Sequence, residues 1–389
     1  MAWQWWDGFN SRFIGQWKRE DESRILSIRQ NNENKNVEVK ISWIPDGGHN
    51  FPALYTECDE NSLYFFHNDR FNRAEYILTL TNDDLLKCEF MQVGLTDEPF
   101  ITNYERISHT PYDLEPPKPT VAFKDGAKID ILKEYAEYGD IISEVKFEYK
   151  FDERENMLDI IEKYNLDELV KGKSDVDTAI ALMHWFCARY KHGNPPGGLA
   201  GNTTPQELMA FADKNDGRTN CRGLSLVLAQ LIRAYNITAF HITCLPFEQP
   251  FDDCHVVVCV YCESLGKYIM LDPSNNLYLK NKNGEIIGVD EFRNIIINGG
   301  ELHPNEDWFN NNWNAGISGN KDYPGYMSYC DYMAKNLIRI ERYNVNAYGV
   351  DGGGKVILIP EKYMQNEAKN FDEGTQKNFI TSREYFWQI

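Results

Sequence analysis

Hydrophobic and polar residues alternate over short runs in the first hundred residues of the chain. The clearest run, Val37–Trp43, has apolar residues at its odd-numbered positions and polar residues between them. Clusters rich in Asn, Asp, Gly and Pro separate eight runs of this kind: Arg12–Lys18, Arg24–Arg29, Val37–Trp43, Ala53–Cys58, Ser62–His67, Ala74–Leu80, Leu85–Met91 and Phe100–Ile107. Evenly spaced short strands of this type predict a small antiparallel sandwich or barrel.

A Gly-x-Trp motif lies in the first of these runs, within Phe13–Trp17. Together with the eight strands, it resembles the opening of lipocalin-like barrels, and the resemblance implies a lipocalin-like β-barrel domain over residues 1–107. Side chains nearly fill the interior of a barrel of this size. We therefore expect an accessory interaction domain.

The segment 108–119, SHTPYDLEPPKP, has four prolines in twelve positions. Such a segment is stiff and extended, so it predicts a linker between domains. Helical periodicity follows it, most clearly over Asp175–Tyr190. Ser174 and Asp177 form a capping box that opens this predicted helix. Pro205 begins a second, shorter predicted helix. We expect a catalytic domain over 120–300 and a C-terminal extension, 301–389, that packs on it.

The most informative segment surrounds Cys221. Asn220 is a good N-cap residue, and apolar residues at positions 224, 227, 228, 231 and 235 define one face of a helix that begins at Cys221. At the first helical position, unpaired backbone N–H groups and the helix dipole stabilise a thiolate. A buried structural thiol at the start of a core helix is the alternative for this residue taken alone.

Two further candidates lie in a predicted hairpin. His255 begins the strand that runs to Tyr261, and Asp272 ends the strand that begins at Tyr268. If position 261 pairs with 266, the two residues lie directly opposite each other; if 262 pairs with 267, they lie diagonally. Either register brings the carboxylate to the imidazole, whereas an odd-length loop would not.

A thiol at a helix N-terminus with His and Asp at adjacent strand ends is the set that covalent acyl transfer requires. Cys221 would be the nucleophile, His255 the base and later the acid, and Asp272 the residue that orients the imidazole. The backbone N–H of Cys221 is positioned to supply one oxyanion donor.

These residues and their surroundings resemble the transglutaminase-core superfamily of papain-like cysteine enzymes, in its bacterial form, over about residues 140–300. The segments that carry the resemblance are Asn-Cys221-Arg-Gly-Leu-Ser, Leu-Ile-Arg-Ala-Tyr-Asn-Ile237, His255-Val-Val-Val, Leu271-Asp272-Pro273-Ser274, the Trp185–Tyr190 helix and Thr204-Pro205-Gln206-Glu207-Leu208. The resemblance implies an α+β class: a lipocalin-like barrel followed by a transglutaminase-like domain of papain fold with a Cys221–His255–Asp272 triad. It also implies hydrolysis or acyl transfer at an amide bond.

The sequence departs from the family in two places. Val-Val follows His255 where many relatives have Ala-Trp, and the tryptophan that animal members use in the oxyanion hole has no counterpart here. Gln206 is the candidate oxyanion side chain in its place.

Charge and composition exclude some partners. The net charge of −19 repels phosphate backbones, so we expect no nucleic-acid partner. The longest apolar run, Val256–Tyr261, is far too short to cross a bilayer, and the N-terminus lacks a basic and then apolar leader. We therefore expect a cytoplasmic protein with no membrane partner and a peptide or protein amide as substrate. The oligomeric state is open.

Nine cysteines without regular spacing predict free thiols in a reducing compartment. Cys254, Cys259 and Cys262 surround His255, but residues three apart on a strand point to opposite faces, so we predict no metal site and no cofactor. A catalytically silent domain that binds a protein or ligand is the alternative to an enzyme. Five aromatic residues could wall a substrate cleft or simply pack: Trp308, Trp313, Tyr323, Tyr326 and Tyr329.

Overall fold

The computed structural model divides the chain into two compact units. One consists of Met1–Lys118 with Pro196–Gly198, and the other of Pro119–Pro195 with Leu199–Ile389. The described residues are 11–22, 24–30, 37–43, 50–52, 55–68, 73–92, 98–111, 120–122, 124, 126–193, 195, 204–249, 251, 253–309, 316–318 and 328–388. Positions 112–119 of the predicted linker lie outside them.

The described part of the first unit is one antiparallel sheet preceded by a short 3-10 helix, Ser11–Phe13. Its strands are β1 (Gly15–Arg19), β2 (Arg24–Gln30), β3 (Val37–Trp43), β4 (Asn50–Pro52), β5 (Tyr55–Cys58), β6 (Ser62–Asn68), β7 (Arg73–Asn82), β8 (Leu85–Gln92) and β9 (Phe100–Ser108). Strands that are consecutive in sequence pair with each other, apart from β4 and β5, which form the two edges of the sheet. The first strand, β1, also pairs with the last, β9. The sheet is therefore barrel-like and nearly closed, and each of the eight predicted runs overlaps a strand, although the first run begins in the 3-10 helix.

The interior of this unit combines aliphatic residues with several large aromatic ones. Trp17 is fully buried, its Nε1 donates to the Phe13 carbonyl at 2.8 Å, and the Arg106 guanidinium lies 3.8 Å from its ring centroid. Gly15 has φ of +138°, and a Cβ there would lie 2.3 Å from the Ser108 carbonyl oxygen. Only glycine fits this close approach of β1 to β9, which explains why the Gly-x-Trp motif needs its glycine.

The second unit contains most of the helices and a mixed sheet. Its helices are α1 (Lys128–Glu134), α2 (Glu153–Asn156), α3 (Leu158–Lys163), α4 (Leu166–Val170), α5 (Asp175–Cys187), α6 (Pro205–Asp213), α7 (Cys221–Arg233), α8 (Val289–Asn298), α9 (Tyr329–Asn336), α10 (Glu361–Asn366), α11 (Glu373–Gln376) and α12 (Arg383–Phe386), with a 3-10 helix at Ala368–Asn370. Its strands are β10 (Glu148–Tyr149), β11 (Lys191–His192), β12 (Arg218–Thr219), β13 (Ala239–Leu245), β14 (His255–Cys262), β15 (Lys267–Leu271), β16 (Leu279–Asn281), β17 (Leu302–Pro304), β18 (Arg339–Ala347), β19 (Val350–Leu358) and β20 (Phe379–Ile380). Both units together make the chain a mixed α and β protein, in agreement with the α+β class.

Helix α7 packs against the central sheet, whose order is β15-β14-β13-β18-β19-β20. Leu224, Val227, Leu228 and Leu231 are almost completely buried on this helix, as the apolar periodicity predicts. Strand β18 pairs with both β13 and β19, so the segment 301–389 supplies three strands of this sheet. It is part of the body of the unit rather than a layer added to its outside.

In the part of the chain that the structure describes, each helix is too short or too polar to span a membrane.

Candidate active site

Cys221 is the first residue of α7. The Asn220 side chain accepts a hydrogen bond from the Gly223 backbone N–H at 2.9 Å, which caps the helix and fixes where it begins. The thiol is 8% exposed. This is the position that the sequence pattern predicts.

His255 and Asp272 meet across the hairpin of β14 and β15. Cys262 pairs with Lys267, and Val258 pairs with Leu271, so the hairpin has the second of the two predicted registers, with Asp272 diagonal to His255. The His255 Nε2 and Asp272 Oδ2 atoms are 2.8 Å apart, and both side chains are buried. Because Nε2 is engaged, Nδ1 is the ring nitrogen left for Cys221.

The Asp272 carboxylate is fully buried and accepts several hydrogen bonds. The Ser274 backbone N–H donates to Oδ1 at 2.9 Å, while the Asn275 amide and the Tyr329 hydroxyl donate to Oδ2 at 2.8 and 2.9 Å. Burial would raise the pKa of Asp272, but the charge and hydrogen bond of His255, with the bonds from Asn275 and Tyr329, hold it below its usual value. The buried carboxylate therefore stays ionised.

The turn after Asp272 is held by its own backbone and by side chains of other elements. Asp272 and Leu277 exchange backbone hydrogen bonds at 2.8 and 3.0 Å. Asn276 lies in this turn with φ of +47°, and its amide bonds both the His184 Nδ1 and the Asp307 carbonyl at 2.9 Å. This network fixes the backbone that carries the carboxylate.

Helix α9 completes the surroundings of the His–Asp pair. Tyr329 and Tyr332 are three residues apart, so they share one face of the helix. The Tyr332 ring meets the His255 imidazole edge-on, with centroids 5.4 Å apart, and its hydroxyl donates to the Cys254 carbonyl at 3.4 Å. Tyr329 does not line a cleft wall, because it is fully buried against Asp272. Trp313, Tyr323 and Tyr326 lie outside the described residues.

The Cys221 thiol has two imidazoles as neighbours, those of His192 and His255. Burial alone would raise the pKa of Cys221, but the two imidazoles, through their hydrogen bonding and positive charge, lower it to about 6. Burial would lower the pKa of His255, but the charge of Asp272, the hydrogen bond to it and the contact with Cys221 raise it to about 10. Both directions favour a thiolate–imidazolium pair.

Seven of the other eight thiols differ from Cys221 in the direction of their pKa shift. Burial raises the pKa of each of the following: Cys58, Cys88, Cys187, Cys244, Cys259, Cys262 and Cys330. Cys58 is more exposed than Cys221, yet the nearby charges of Asp59 and Glu57 add to the rise in its pKa. Ionisation therefore distinguishes Cys221, whereas exposure does not.

His192 is a residue that the sequence analysis missed. Strand β11 pairs in parallel with β12, and His192 lies beside Thr219, two positions before the nucleophile candidate. Each of these strands is only two residues long, so no alternation in the sequence indicates them. A parallel contact across 27 residues has no local signal either.

The structure does not bring Gln206 to Cys221. Its Nε2 donates to the Asn156 carbonyl at 2.8 Å and to Asp159 Oδ1 at 2.9 Å, and its Oε1 accepts from the Tyr348 hydroxyl at 2.8 Å. The neighbouring Gly349 N–H bonds Gln230, nine residues along α7 from Cys221 and therefore ~13 Å from it along the helix axis. The amide of Gln206 is thus fully engaged near the other end of α7.

Metal ligation finds no support in the geometry. Within the described ranges, no group of three or more His, Cys, Asp or Glu side chains is arranged to hold a metal ion. Cys259 and Cys262 are buried core thiols on β14.

Comparison with known proteins returned no matching family model and no matching curated protein. Among solved structures, the chain is similar to a protease candidate from Parabacteroides distasonis, with 10% identity, 49% of this chain and 38% of the other covered, and a TM-score of 0.24. It is also similar to a cysteine protease candidate from Cytophaga hutchinsonii, with 13% sequence identity and a TM-score of 0.23. The match covers 65% of this chain and 81% of the other. A third similar structure is the periplasmic domain of TgpA from Pseudomonas aeruginosa, with 11% sequence identity and a TM-score of 0.22. The match covers 75% of this chain and 82% of the other. Scores this low carry no argument, so the functional conclusion depends on the site itself.

Proposed function

We propose that this protein is a cysteine enzyme that performs acyl transfer or hydrolysis at an amide bond of a peptide or protein through a thioester on Cys221. The second unit would then be a transglutaminase-like domain of papain fold, with His255 and Asp272 completing the triad. The first unit would be an accessory, lipocalin-like interaction domain. The proposed chemistry needs no metal or cofactor, because the side chains supply the nucleophile, the base and the acid.

One observation carries this proposal: the Cys221 thiol at the start of α7 neighbours the His255 imidazole, whose Nε2 lies 2.8 Å from the buried carboxylate of Asp272. The thiol at the helix start has a lowered pKa, and the imidazole has a raised one. A thiolate is the reactive form of cysteine, and an adjacent imidazolium holds the proton that the leaving group will need.

The reaction follows from this arrangement. The Cys221 thiolate attacks the amide carbon, the sulfur–carbon bond forms, and the carbonyl π electrons move onto oxygen. The oxyanion collapses, the carbon–nitrogen bond breaks, and the departing amine takes the proton from His255 Nδ1. The acceptor then gives a proton to His255 and attacks the thioester, which releases the thiolate. Asp272 holds the imidazole in place through Nε2 and stabilises its positive charge.

The acceptor decides the name of the activity. Water as acceptor makes the protein a protease or amidase, and an amine makes it a transamidase. We favour hydrolysis, because water needs no dedicated acceptor site.

The test is site-specific alkylation followed by mass spectrometry of each cysteine. At neutral pH, iodoacetamide should modify Cys221 well ahead of the other eight thiols. Cys58 is the informative comparison, since it is more exposed but burial and the charges of Asp59 and Glu57 raise its pKa, which disfavours its thiolate. His255→Ala should abolish the preference for Cys221, whereas His303→Ala, at an exposed position, should preserve it.

Uniform labelling, or a preference that survives His255→Ala, would overturn the proposal and leave a binding domain as the better description. A positive result leads to a second measurement, the trapping of an acyl–Cys221 adduct from lysate, whose acyl group identifies the substrate.

A further inference from the structure

The nucleophile candidate contacts a second histidine that the triad does not use. Strand β11 is fixed to β12 by backbone hydrogen bonds from Lys191 N to Gly217 O at 2.8 Å and from Gly193 N to Thr219 O at 2.9 Å. The Arg218 guanidinium donates to the His192 carbonyl at 3.1 Å. These bonds hold the backbone of His192 beside the residues that lead directly into α7.

The two imidazoles at Cys221 have different surroundings. His255 is buried, its Nε2 is bound to Asp272, and Tyr332 packs against its ring. His192 is half-buried, comes from a different strand, and forms no ion pair with a carboxylate of the described residues. His255 is therefore built to carry a proton and a positive charge, whereas His192 is the more exposed of the two imidazoles.

The charge that an acyl transfer generates moves from sulfur to oxygen. When the Cys221 thiolate attacks, its electron pair forms the sulfur–carbon bond, and the carbonyl π pair becomes a lone pair on oxygen. That oxygen is bonded to the same carbon as Sγ, so a donor that reaches Sγ in the resting site lies near the new anion. Donors placed where negative charge develops are among the largest contributions to catalysis.

We propose that His192 is a further catalytic residue: its imidazole N–H bonds the Cys221 thiolate at rest and the oxyanion of the tetrahedral intermediate during acyl transfer. His192 keeps its proton throughout, and His255 alone supplies the proton to the leaving group. The backbone N–H of Cys221 is the second donor. This inference rests on the proposed function and assigns to His192 the position that the sequence analysis gave to Gln206.

The test compares two reactions of the same thiol. Iodoacetamide alkylates Cys221 by direct displacement and forms no oxyanion, whereas p-nitrophenyl acetate acylates it through a tetrahedral oxyanion. The ratio of the two rates, each measured at its plateau with respect to pH, isolates oxyanion stabilisation from thiolate formation. Cys221→Ala provides the background reaction of p-nitrophenyl acetate with other groups.

Two substitutions separate the donor from the ring. His192→Phe retains an aromatic ring of similar size without a donor, and we expect acylation to fall ~10²-fold while plateau alkylation changes less than ~3-fold. His192→Gln retains an N–H donor and should recover about 10-fold of that loss. His303→Phe, at an exposed position of the same unit, should change neither rate. Alkylation of Cys221 at the wild-type rate also reports that each variant is folded.

Unchanged plateau rates with a higher pH midpoint for both reactions would mean that His192 only favours the thiolate, and an equal fall in both plateau rates would mean that it does not act on the oxyanion. Both results overturn the inference. They are distinct from failure of the proposed function, in which the wild-type protein itself would show no selective reaction at Cys221.

Discussion

The two units of this protein both depend on antiparallel strand pairing, but they bury different kinds of side chain. The interior of the barrel-like unit is almost entirely apolar, with Trp17, Phe65, Tyr76 and Tyr104 at its centre. The second unit also has a large apolar core, yet it buries ionised and polar groups at one end of its central sheet, where Asp272 is fully enclosed.

This difference separates stability from chemistry. An apolar interior stabilises a fold through the area removed from water and tolerates substitutions according to volume. A buried carboxylate is tolerated only when partners satisfy it, and around Asp272 three different structural elements do so: the following turn, β14 and α9. We therefore expect substitutions in the first unit to change folding alone and substitutions at the site to change reactivity first.

The largest contrast is between two buried thiols. Cys221→Ala should remove acylation by p-nitrophenyl acetate above background, a loss of ~10⁴-fold or more, because the nucleophile is absent. Cys88→Ala, in the barrel-like unit, should leave that rate unchanged and lower the free energy of unfolding by ~1 kcal/mol. Stopped-flow absorbance and thermal denaturation measure the two effects. Equal acylation by Cys221→Ala and the wild type would contradict the proposed nucleophile.

Asp272→Asn tests the residue that orients the imidazole. The amide removes the negative charge that raises the pKa of His255 and can hold the ring in the wrong tautomer. We expect acylation to fall by ~10³–10⁴-fold. Asp130→Asn, a neutralised carboxylate at an exposed position of the same unit, is the matched control. A loss below 10-fold at Asp272 would show that the carboxylate is not part of the mechanism.

Trp17→Ala addresses the first unit. Removing this buried indole should lower the free energy of unfolding of the barrel-like unit by ~3–5 kcal/mol, since the cavity cannot be refilled. Phe100→Ala, where the ring is 52% exposed, should change it by less than ~0.5 kcal/mol. Denaturant titrations give both values, and selective labelling of Cys221 should persist in both variants under native conditions. Loss of that labelling in Trp17→Ala would show that the units are not independent.

Tyr329→Phe and Tyr332→Phe compare two hydroxyls on one helix face. The first variant leaves a buried, ionised carboxylate with one donor fewer, so we expect ~1–3 kcal/mol of lost stability and an acylation rate reduced up to ~10-fold. Tyr332→Phe removes a 3.4 Å bond to a carbonyl, and we expect it to cost less than ~1 kcal/mol. Paired thermal melts and acylation rates are the measurement. Equal effects of the two substitutions would argue against a special contribution of Tyr329.

The smallest expected effect is a shift in pH dependence. Because the Cys221 pKa is lowered to about 6, its alkylation rate should rise with pH around that value, where Cys58 remains protonated and slow. Above about pH 10, His255 loses its proton, so acylation that needs an acid should fall while alkylation continues. Rates measured from pH 4 to 11 test both limbs. A midpoint for Cys221 near 9 would mean that the imidazoles do not stabilise its thiolate.

Local sequence alone determined a substantial part of this protein. Alternation located eight strands of the first unit, because the period of two that one buried face imposes on a strand is visible in a single run. Asn220 marked the start of α7, because the N-cap bond joins residues only three apart. The even-length hairpin loop predicted that His255 and Asp272 lie on the same face of the sheet. The sequence left two registers open, and the structure has the one in which the two residues are diagonal.

Tertiary structure alone decided the rest. Strand β4 is three residues long and includes Pro52, so it has no pattern of its own and exists through pairing with β3. Tyr329 is 57 residues from Asp272 in sequence, and His192 is 29 residues from Cys221. Gln206 bonds partners that are 50 and 142 residues away in sequence instead of approaching Cys221. Such contacts depend on how elements pack after they form. A chain shows its periodicities and caps within a few residues, whereas the groups that complete a buried site are brought together only by the folded unit.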